Sequence, residues 1–147
     1  MRRVNNMADT KYGKYLTTEC VKPNKKREGS FITSTRQLES FGGGELSIDC
    51  IFIQEPHLMI SQPHKHEFPQ YLSFFSGNPD DPKEFDAEIE MSLGEEEEKH
   101  IITSPTSVYV PAGLYHGPIK FARVTKPFLF LDIAVTGKYS RVGDTPD

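Results

Sequence analysis

The sequence predicts an all-β fold, a sandwich or barrel of many short strands. Helix-period patterns are nearly absent, whereas residues 87–93 alternate apolar and polar side chains, as in a strand with one buried face. Further runs rich in β-branched and aromatic residues occur at 31–33, 46–53, 71–75, 100–103, 107–110 and 128–135. Gly- and Pro-rich turns separate these runs at 42–44, 77–82, 105, 111–113 and 117–118.

The length of 147 residues predicts one domain, which we place at residues 30–147, after a basic arm at residues 1–29. The arm has eight Lys and Arg against three Asp and Glu, a local charge of +5 (8 − 3), within a chain of net charge −4. The remainder therefore carries −9 (−4 − 5). We expect the arm to pack on its own body or on a second subunit.

Several classes of protein are excluded at this stage. No apolar run approaches the roughly 20 residues that span a bilayer, and no secretory signal pattern is present, so we expect a cytoplasmic protein without a membrane partner. The arm lacks repeated Arg and the body is acidic, so we expect no nucleic-acid partner. Cys20 and Cys50 form no CxxC pair and are expected to be free, buried thiols.

Two polar features have simple structural interpretations. Four consecutive carboxylates at Glu95–Glu98 lie between two strand-like runs, which indicates a solvated hairpin turn rather than a cation site, because calcium loops interleave their ligands with other residues. The glycines at 42–44 precede no Lys-Ser/Thr pair, so they indicate a flexible turn rather than a phosphate loop.

The candidate chemistry lies with three histidines. His64 and His66 are two residues apart, so on a strand their imidazoles project to one face, where neutral nitrogens bind transition metals. His116 follows a Pro-x-Gly turn in a distant segment. Gln70 has the same parity as His64, but four residues of straight strand span about 13 Å. Gln70 therefore joins the histidines only if residues 67–69 bend, which Pro69 favours.

These motifs make the sequence resemble a small single-domain cupin. The first cupin motif has His-x-His, then Glu, then Gly, and here His64, His66, Gln70 and Gly77 occupy those positions, with Gln in place of Glu. The second motif centres on Pro-x-Gly-x-x-His, which residues 111–116 match. The sequence departs from the motifs at Leu58, Pro105 and Lys120, where the family has Gly, Gly and often Asn.

The resemblance implies a jelly-roll barrel that binds one divalent transition metal (Fe, Mn, Ni, Zn or Cu, which the motifs do not distinguish). It implies His64, His66 and His116 as ligands, with Gln70 as the fourth. Gln70 has three interpretations: it ligates through its carbonyl oxygen, it hydrogen-bonds a metal-bound water, or it marks a site that no longer holds metal. Glu67 is an alternative acidic ligand, although its parity directs it to the other face. The resemblance also implies a homodimer, often with strands exchanged from the N-terminal region.

A metal held only by neutral ligands keeps its charge uncompensated in a low-dielectric barrel, which favours a small anionic ligand. Lys120 and Arg123 follow the second motif and are candidates for binding it. Tyr115 precedes His116 and is a candidate for a catalytic or substrate-binding side chain. Most other aromatic and apolar residues near the motifs are expected in the core, namely Tyr71, Leu72, Phe74, Tyr109, Phe121, Phe128 and Phe130.

Two function classes remain. The first is a metal-dependent enzyme acting on a small organic acid or sugar-like molecule, as a dioxygenase, isomerase, decarboxylase or lyase. The second is a non-catalytic module that binds or senses a small molecule. We favour the enzyme, although fold alone does not decide between them. A purely structural role ranks third, because it needs no metal site.

Overall fold

The computed structural model of the chain describes residues 10–36, 45–136 and 140–143. These residues form one short 3-10 turn, Gly13–Tyr15, and ten β-strands. Among them, no helix is long and apolar enough to cross a bilayer. The strands are β1 (Val21–Pro23), β2 (Phe31–Ser34), β3 (Ser47–Ile53), β4 (His57–Ile60), β5 (Gln70–Ser76), β6 (Ala87–Leu93), β7 (Glu98–Ile102), β8 (Thr106–Val110), β9 (His116–Val124) and β10 (Phe128–Ala134).

The strands form two antiparallel sheets that face each other across one core. The larger sheet has the order β1-β2-β3-β10-β5-β8 and the smaller has the order β4-β9-β6-β7. Consecutive strands often lie in different sheets: β4 is in the smaller sheet, β5 in the larger and β6 again in the smaller. The all-β jelly-roll prediction is confirmed.

Aromatic side chains fill the space between the sheets. Phe74, Phe121, Phe128 and Phe130 are almost completely buried, and the ring centroids of Phe74 and Phe121 lie 5.2–6.4 Å from each other and from those of Phe128 and Phe130. They come from β5, β9 and β10, so this cluster joins the two sheets. Tyr71 and Tyr109, which we expected in the core, are instead 45% and 54% exposed. They pair across β5 and β8 on the outward face, where strand alternation places them.

Each strand-like run of the sequence forms a strand, but β1, β4 and β9 were not predicted. The prediction of a turn at Gly117-Pro118 was wrong, because both residues lie inside β9. The register of β6 against β9 shifts between Met91 and Leu93, so Gly117 and Pro118 lie opposite Ser92 in a bulge. A bulge accommodates proline because it does not require the missing N–H.

Other turn predictions have clear outcomes. The segment 94–97 forms the turn between β6 and β7, and Glu95–Glu98 are exposed, as expected for a solvated hairpin. The predicted flexible turn at 42–44 lies outside the described residues. Cys20 and Cys50 are free but only partly buried.

The described part of the basic arm packs on its own barrel. β1 pairs with β2 in the register Val21↔Thr33, and β2 pairs with β3, so residues 21–23 form the edge of the larger sheet. The side chain of Lys22 donates a hydrogen bond to the backbone oxygen of Arg36. The arm boundary at residue 29 and strand exchange with a second subunit stay predictions.

Candidate metal centre

The two histidine-bearing segments are joined by backbone hydrogen bonds. His64 lies between β4 and β5, His116 begins β9, and the two residues form an isolated antiparallel bridge. The amide of each donates to the carbonyl of the other, at 3.0 and 2.9 Å. The amide of Gly113 donates to the carbonyl of His66 at 2.8 Å. The backbone therefore fixes the relative position of all three histidines.

The three imidazoles converge in the barrel. His64, His66 and His116 are 8%, 2% and 1% exposed, and their ring centroids are 4.3–5.1 Å apart. One nitrogen from each ring lies within 4.8 Å of the nitrogens of the other two. Two nitrogens that bind one ion at about 2.1 Å lie at most about 4.2 Å apart, so small rotations of the rings would bring all three nitrogens onto one ion. The structure brings together the three histidines that the sequence predicted.

The second nitrogen of each ring faces a backbone carbonyl. Nδ1 of His66 lies 2.5 Å from the oxygen of Ser140, and Nδ1 of His116 lies 3.3 Å from that of Leu114. Nδ1 of His64 makes a longer contact of 3.5 Å with the oxygen of Gln62. A carbonyl only accepts, so these contacts place the proton on Nδ1 and leave the Nε2 lone pair available for a metal.

Burial keeps the rings of His64 and His116 neutral. Burial lowers the pKa of His64 to about 3, assisted by the neighbouring His116, Arg141 and His66. Burial also lowers the pKa of His116 to about 4. Nε2 of His64 is buried and has no hydrogen-bond partner among the described residues. Neutral, convergent imidazoles with an unused buried lone pair are a donor set that fits a divalent transition metal.

Gln70 begins β5 directly after the chain bends at residues 67–68, as the sequence analysis required. Its side chain is 1% exposed, and its Nε2 donates to Oδ1 of Asp132 at 2.9 Å. Its Oε1 is buried without a hydrogen-bond partner in the described structure. Gln70 and His116 line the same cavity. Glu67, the alternative acidic ligand, is exposed.

An ion network behind Gln70, in which Asp132 is buried and Arg36 and Asp49 are half-buried, was not predicted from the sequence. Arg36 contacts Asp132 at 3.1 Å and Asp49 at 2.6 Å, and the hydroxyl of Ser34 donates to Asp49. Burial raises the pKa of Asp132, and the charge of Arg36 opposes this shift. One signal was available in the sequence: Asp132 has the same strand parity as Phe128 and Phe130, so it lies on their buried face of β10.

The cavity has a volume of about 1280 Å³ and extends from the centre of the barrel to the β1–β2 hairpin. Its cationic lining residues outnumber its carboxylates, which are Asp49, Glu55 and Asp132. The cations are Lys22, Lys25, Lys26, Arg27, Arg36 and Arg141. Most of them belong to the basic arm, so the described part of the arm forms a wall of the cavity.

Arg141 reaches the cavity because the segment 140–142 crosses the first motif. The amide of Val142 donates to the carbonyl of Lys65 at 2.9 Å, while the carbonyl of Ser140 faces His66. This placement could not be predicted from local sequence, because Arg141 is 75 residues from His66 (141 − 66) and lies in no motif.

The other candidate residues lie elsewhere. Tyr115 is half-buried, with Nζ of Lys65 4.9 Å from its ring centroid. Lys120 is exposed between the buried Ile119 and Phe121, and Arg123 is exposed and pairs with Asp86. Tyr115, Lys120 and Arg123 are not among the described residues that line the cavity.

Comparisons with known proteins rest on structure rather than on sequence. No protein-family model matches the chain, and no curated protein matches it by sequence. A structure of oxalate oxidase in complex with glycolate has a TM-score of 0.52 at 12% identity, over 75% of this chain and 52% of that chain. A structure of Fe(II) HppE has a TM-score of 0.52 at 12% identity, over 82% and 59%.

Vicilin from Corylus avellana has a TM-score of 0.52 at 13% identity, over 82% of this chain and 33% of that chain. The chain therefore spans about a third to three fifths of the length of these proteins. Oxalate oxidase and vicilin are cupin-fold proteins. At such low identity the likeness concerns the fold, and it agrees with the two jelly-roll sheets and the paired motifs described above. The chain has the cupin fold.

Proposed function

We propose that the chain is a metal-dependent cupin enzyme that acts on a small organic anion, with its metal held by His64, His66, His116 and Gln70. The observation that carries the proposal is the buried cluster of three imidazoles, each with Nδ1 against a backbone carbonyl. A structural histidine cluster would leave no buried lone pair unused, whereas Nε2 of His64 has no hydrogen-bond partner among the described residues.

One group of side chains in this proposal binds the metal, and a second group attracts the substrate. A bound divalent ion would supply a Lewis acid and a template for substrate oxygens. The three histidine side chains are almost fully buried, and the low dielectric around them strengthens electrostatic interactions at the metal site. Arg141 and the lysines of the arm supply positive charge at its wall, and they attract an anion.

Metal analysis tests the metal site directly. We expect about one metal ion per chain in protein purified without added metal or affinity tag, and none in the double variant H64A/H116A. The matched control is H57A/H100A, because His57 and His100 are exposed. The retained ion should also raise the melting temperature of the wild type relative to chelator-treated protein. An absence of metal in the wild type, even after loading with several divalent ions, would contradict the proposal.

Calorimetry of the metal-loaded protein tests the substrate class. We expect glycolate and oxalate to bind and the uncharged ethylene glycol not to bind. R141Q should weaken carboxylate binding about tenfold, a loss of about 1.4 kcal/mol, because it removes one cation from the cavity wall. R123Q is the control, because Arg123 pairs with Asp86 on the surface. Equal carboxylate affinities for the wild type and R141Q would show that Arg141 does not contribute to substrate binding.

A non-catalytic binding module is the second candidate, and one observation favours it. The buried Asp132 and the half-buried Asp49 of the cavity are both ion-paired with Arg36, so neither is free to act as a general acid or base. Carboxylate binding without turnover of any tested acid, in the presence of oxygen and each candidate metal, would favour the module.

A second copy of the chain is the proposed macromolecular partner. The outward positions of the larger sheet carry no charged side chain in the described strands. They are Val21, Pro23, Phe31, Thr33, Ile48, Cys50, Phe52, Leu129, Leu131, Ile133, Tyr71, Ser73, Phe75, Ser107 and Tyr109. Six strands of this length present a face of roughly 500 Å². Two such faces bury about 1,000 Å², the lower limit for a specific dimer. A cytoplasmic location stays a prediction.

A further inference from the structure

The unusual feature of the centre is the pairing of Gln70 with Asp132. The two residues lie on adjacent strands, two register positions apart on the inward face of the larger sheet. Nε2 of Gln70 donates to Oδ1 of Asp132 at 2.9 Å, and both side chains are buried. Oε1 of Gln70 is then left without a hydrogen-bond partner among the described residues.

Arg36, which contacts the second oxygen of Asp132, fixes the position of this carboxylate. Arg36 holds Asp132 at 3.1 Å and Asp49 at 2.6 Å, and it lies on the side of the cavity formed by β2 and β3. An ionised carboxylate only accepts hydrogen bonds, so it can face only the NH₂ group of the Gln70 amide. Rotation of the amide by 180° would set two acceptors against each other.

We propose that Asp132 is a positioning residue that holds the Gln70 amide with Oε1 available to the metal and places a negative charge one hydrogen bond behind it. This inference rests on the proposed metal site. The resemblance to cupins implies Glu at position 70, where a carboxylate would carry the charge itself. In this chain a neutral ligand and a fixed acid behind it share that role, as a carboxylate behind a ligating histidine does in other metal sites.

Because Gln70 and Asp132 depend on each other, the proposal predicts that a substitution at one position requires a matching substitution at the other. Q70E alone sets a second carboxylate against Asp132, and like charges at this distance repel strongly when buried. D132N alone removes the charge and lets the amide rotate, because an amide both donates and accepts. Q70E/D132N exchanges the two groups: the introduced amide donates to the introduced carboxylate, which keeps an oxygen available to the metal.

A cobalt titration of the full chain tests this coupling, with Co²⁺ affinity and the ligand-field absorption bands as readouts. We expect D132N to weaken Co²⁺ binding 10- to 100-fold and to change the absorption bands. Q70E/D132N should restore the wild-type affinity or exceed it, and should melt at a higher temperature than Q70E. The matched control is D86N, which breaks the exposed ion pair with Arg123 and should leave the affinity unchanged.

The outcomes separate this inference from the proposed function. Co²⁺ binding by the wild type together with unchanged affinity and bands in D132N overturns the positioning role, even if D132N melts at a lower temperature. If D132N does not fold, the comparison of Q70E with Q70E/D132N decides, and equal affinity and stability overturn the inference. Failure of the wild type to bind Co²⁺ overturns the metal site itself and this inference with it.

Discussion

At the scale of single residues, the centre combines neutral imidazoles with fixed ring orientations. His64 and His116 have pKa values of about 3 and about 4, well below the ordinary value of 6.5, because burial disfavours their charged forms. Both rings are therefore prepared to bind a metal without first losing a proton. The same property makes the metal-free protein sensitive to acid.

Stability of the metal-free chain should fall as the pH is lowered from 7 to 5. The unfolded chain protonates both histidines below about pH 6.5, whereas the folded chain resists protonation until about pH 4 and pH 3. The unfolded state therefore binds more protons in this window, and protonation favours unfolding. We expect a loss of about 2 kcal/mol in the free energy of unfolding, a value discounted for screening by solvent.

Urea unfolding at pH 7, 6 and 5 measures this loss. The variant H64N/H116N should show a flatter pH profile than the wild type, because it lacks the two resistant groups. The variant H57N/H100N removes two exposed histidines and should keep the wild-type profile. Identical slopes in all three proteins would show that the metal-centre histidines do not control acid stability.

Gly77 and Gly113, one in each motif, show how far single positions could be predicted. The resemblance to the family identifies both glycines, but the fold explains why each position requires glycine, and the two explanations differ. A Cβ on Gly77 would lie 2.4 Å from the carbonyl oxygen of Pro127, so only glycine allows the end of β5 to approach the start of β10. Gly113 has open space around it but a φ of +83°, a left-handed conformation that favours glycine.

At the scale of elements, strands with an apolar alternation could be predicted, and the pairing between them could not. β6 and β10 are visible in the sequence because each second side chain is buried. β9 was missed because Gly117 and Pro118 resemble a turn and only the bulge opposite Ser92 accommodates them. The histidines were predictable because the motifs are local. The contacts of Gln70 with Asp132 and of Asp132 with Arg36 depend on sheet order, which short motifs do not encode.

At the scale of the whole molecule, charge and apolar surface are separated. Four basic residues of the arm, Lys22, Lys25, Lys26 and Arg27, line the cavity, while the outward face of the larger sheet is uncharged in its described strands. The charge asymmetry is visible in the sequence, and it predicts that the arm packs on its own body or on a second subunit. The structure places β1 of the arm at the edge of the larger sheet, with Lys22 in the cavity lining and Val21 and Pro23 on the outward face. The outward face is uncharged in its described strands, so it is the better candidate for contact between copies.

A dimer formed through this face should respond to one buried charge. Phe52 lies on the central strand β3, opposite Leu129, and is 55% exposed in the single chain. F52E would bury an unpaired carboxylate at the centre of a sheet-to-sheet contact, which costs several kcal/mol.

Light scattering should give about 33 kDa for the wild type, twice the chain mass of 16.7 kDa, and about 16.7 kDa for F52E. I101E is the matched control, because Ile101 is 52% exposed on β7 of the other sheet, and it should remain dimeric. A monomeric wild type, or a dimeric F52E with an unchanged melting temperature, would place any contact between copies elsewhere.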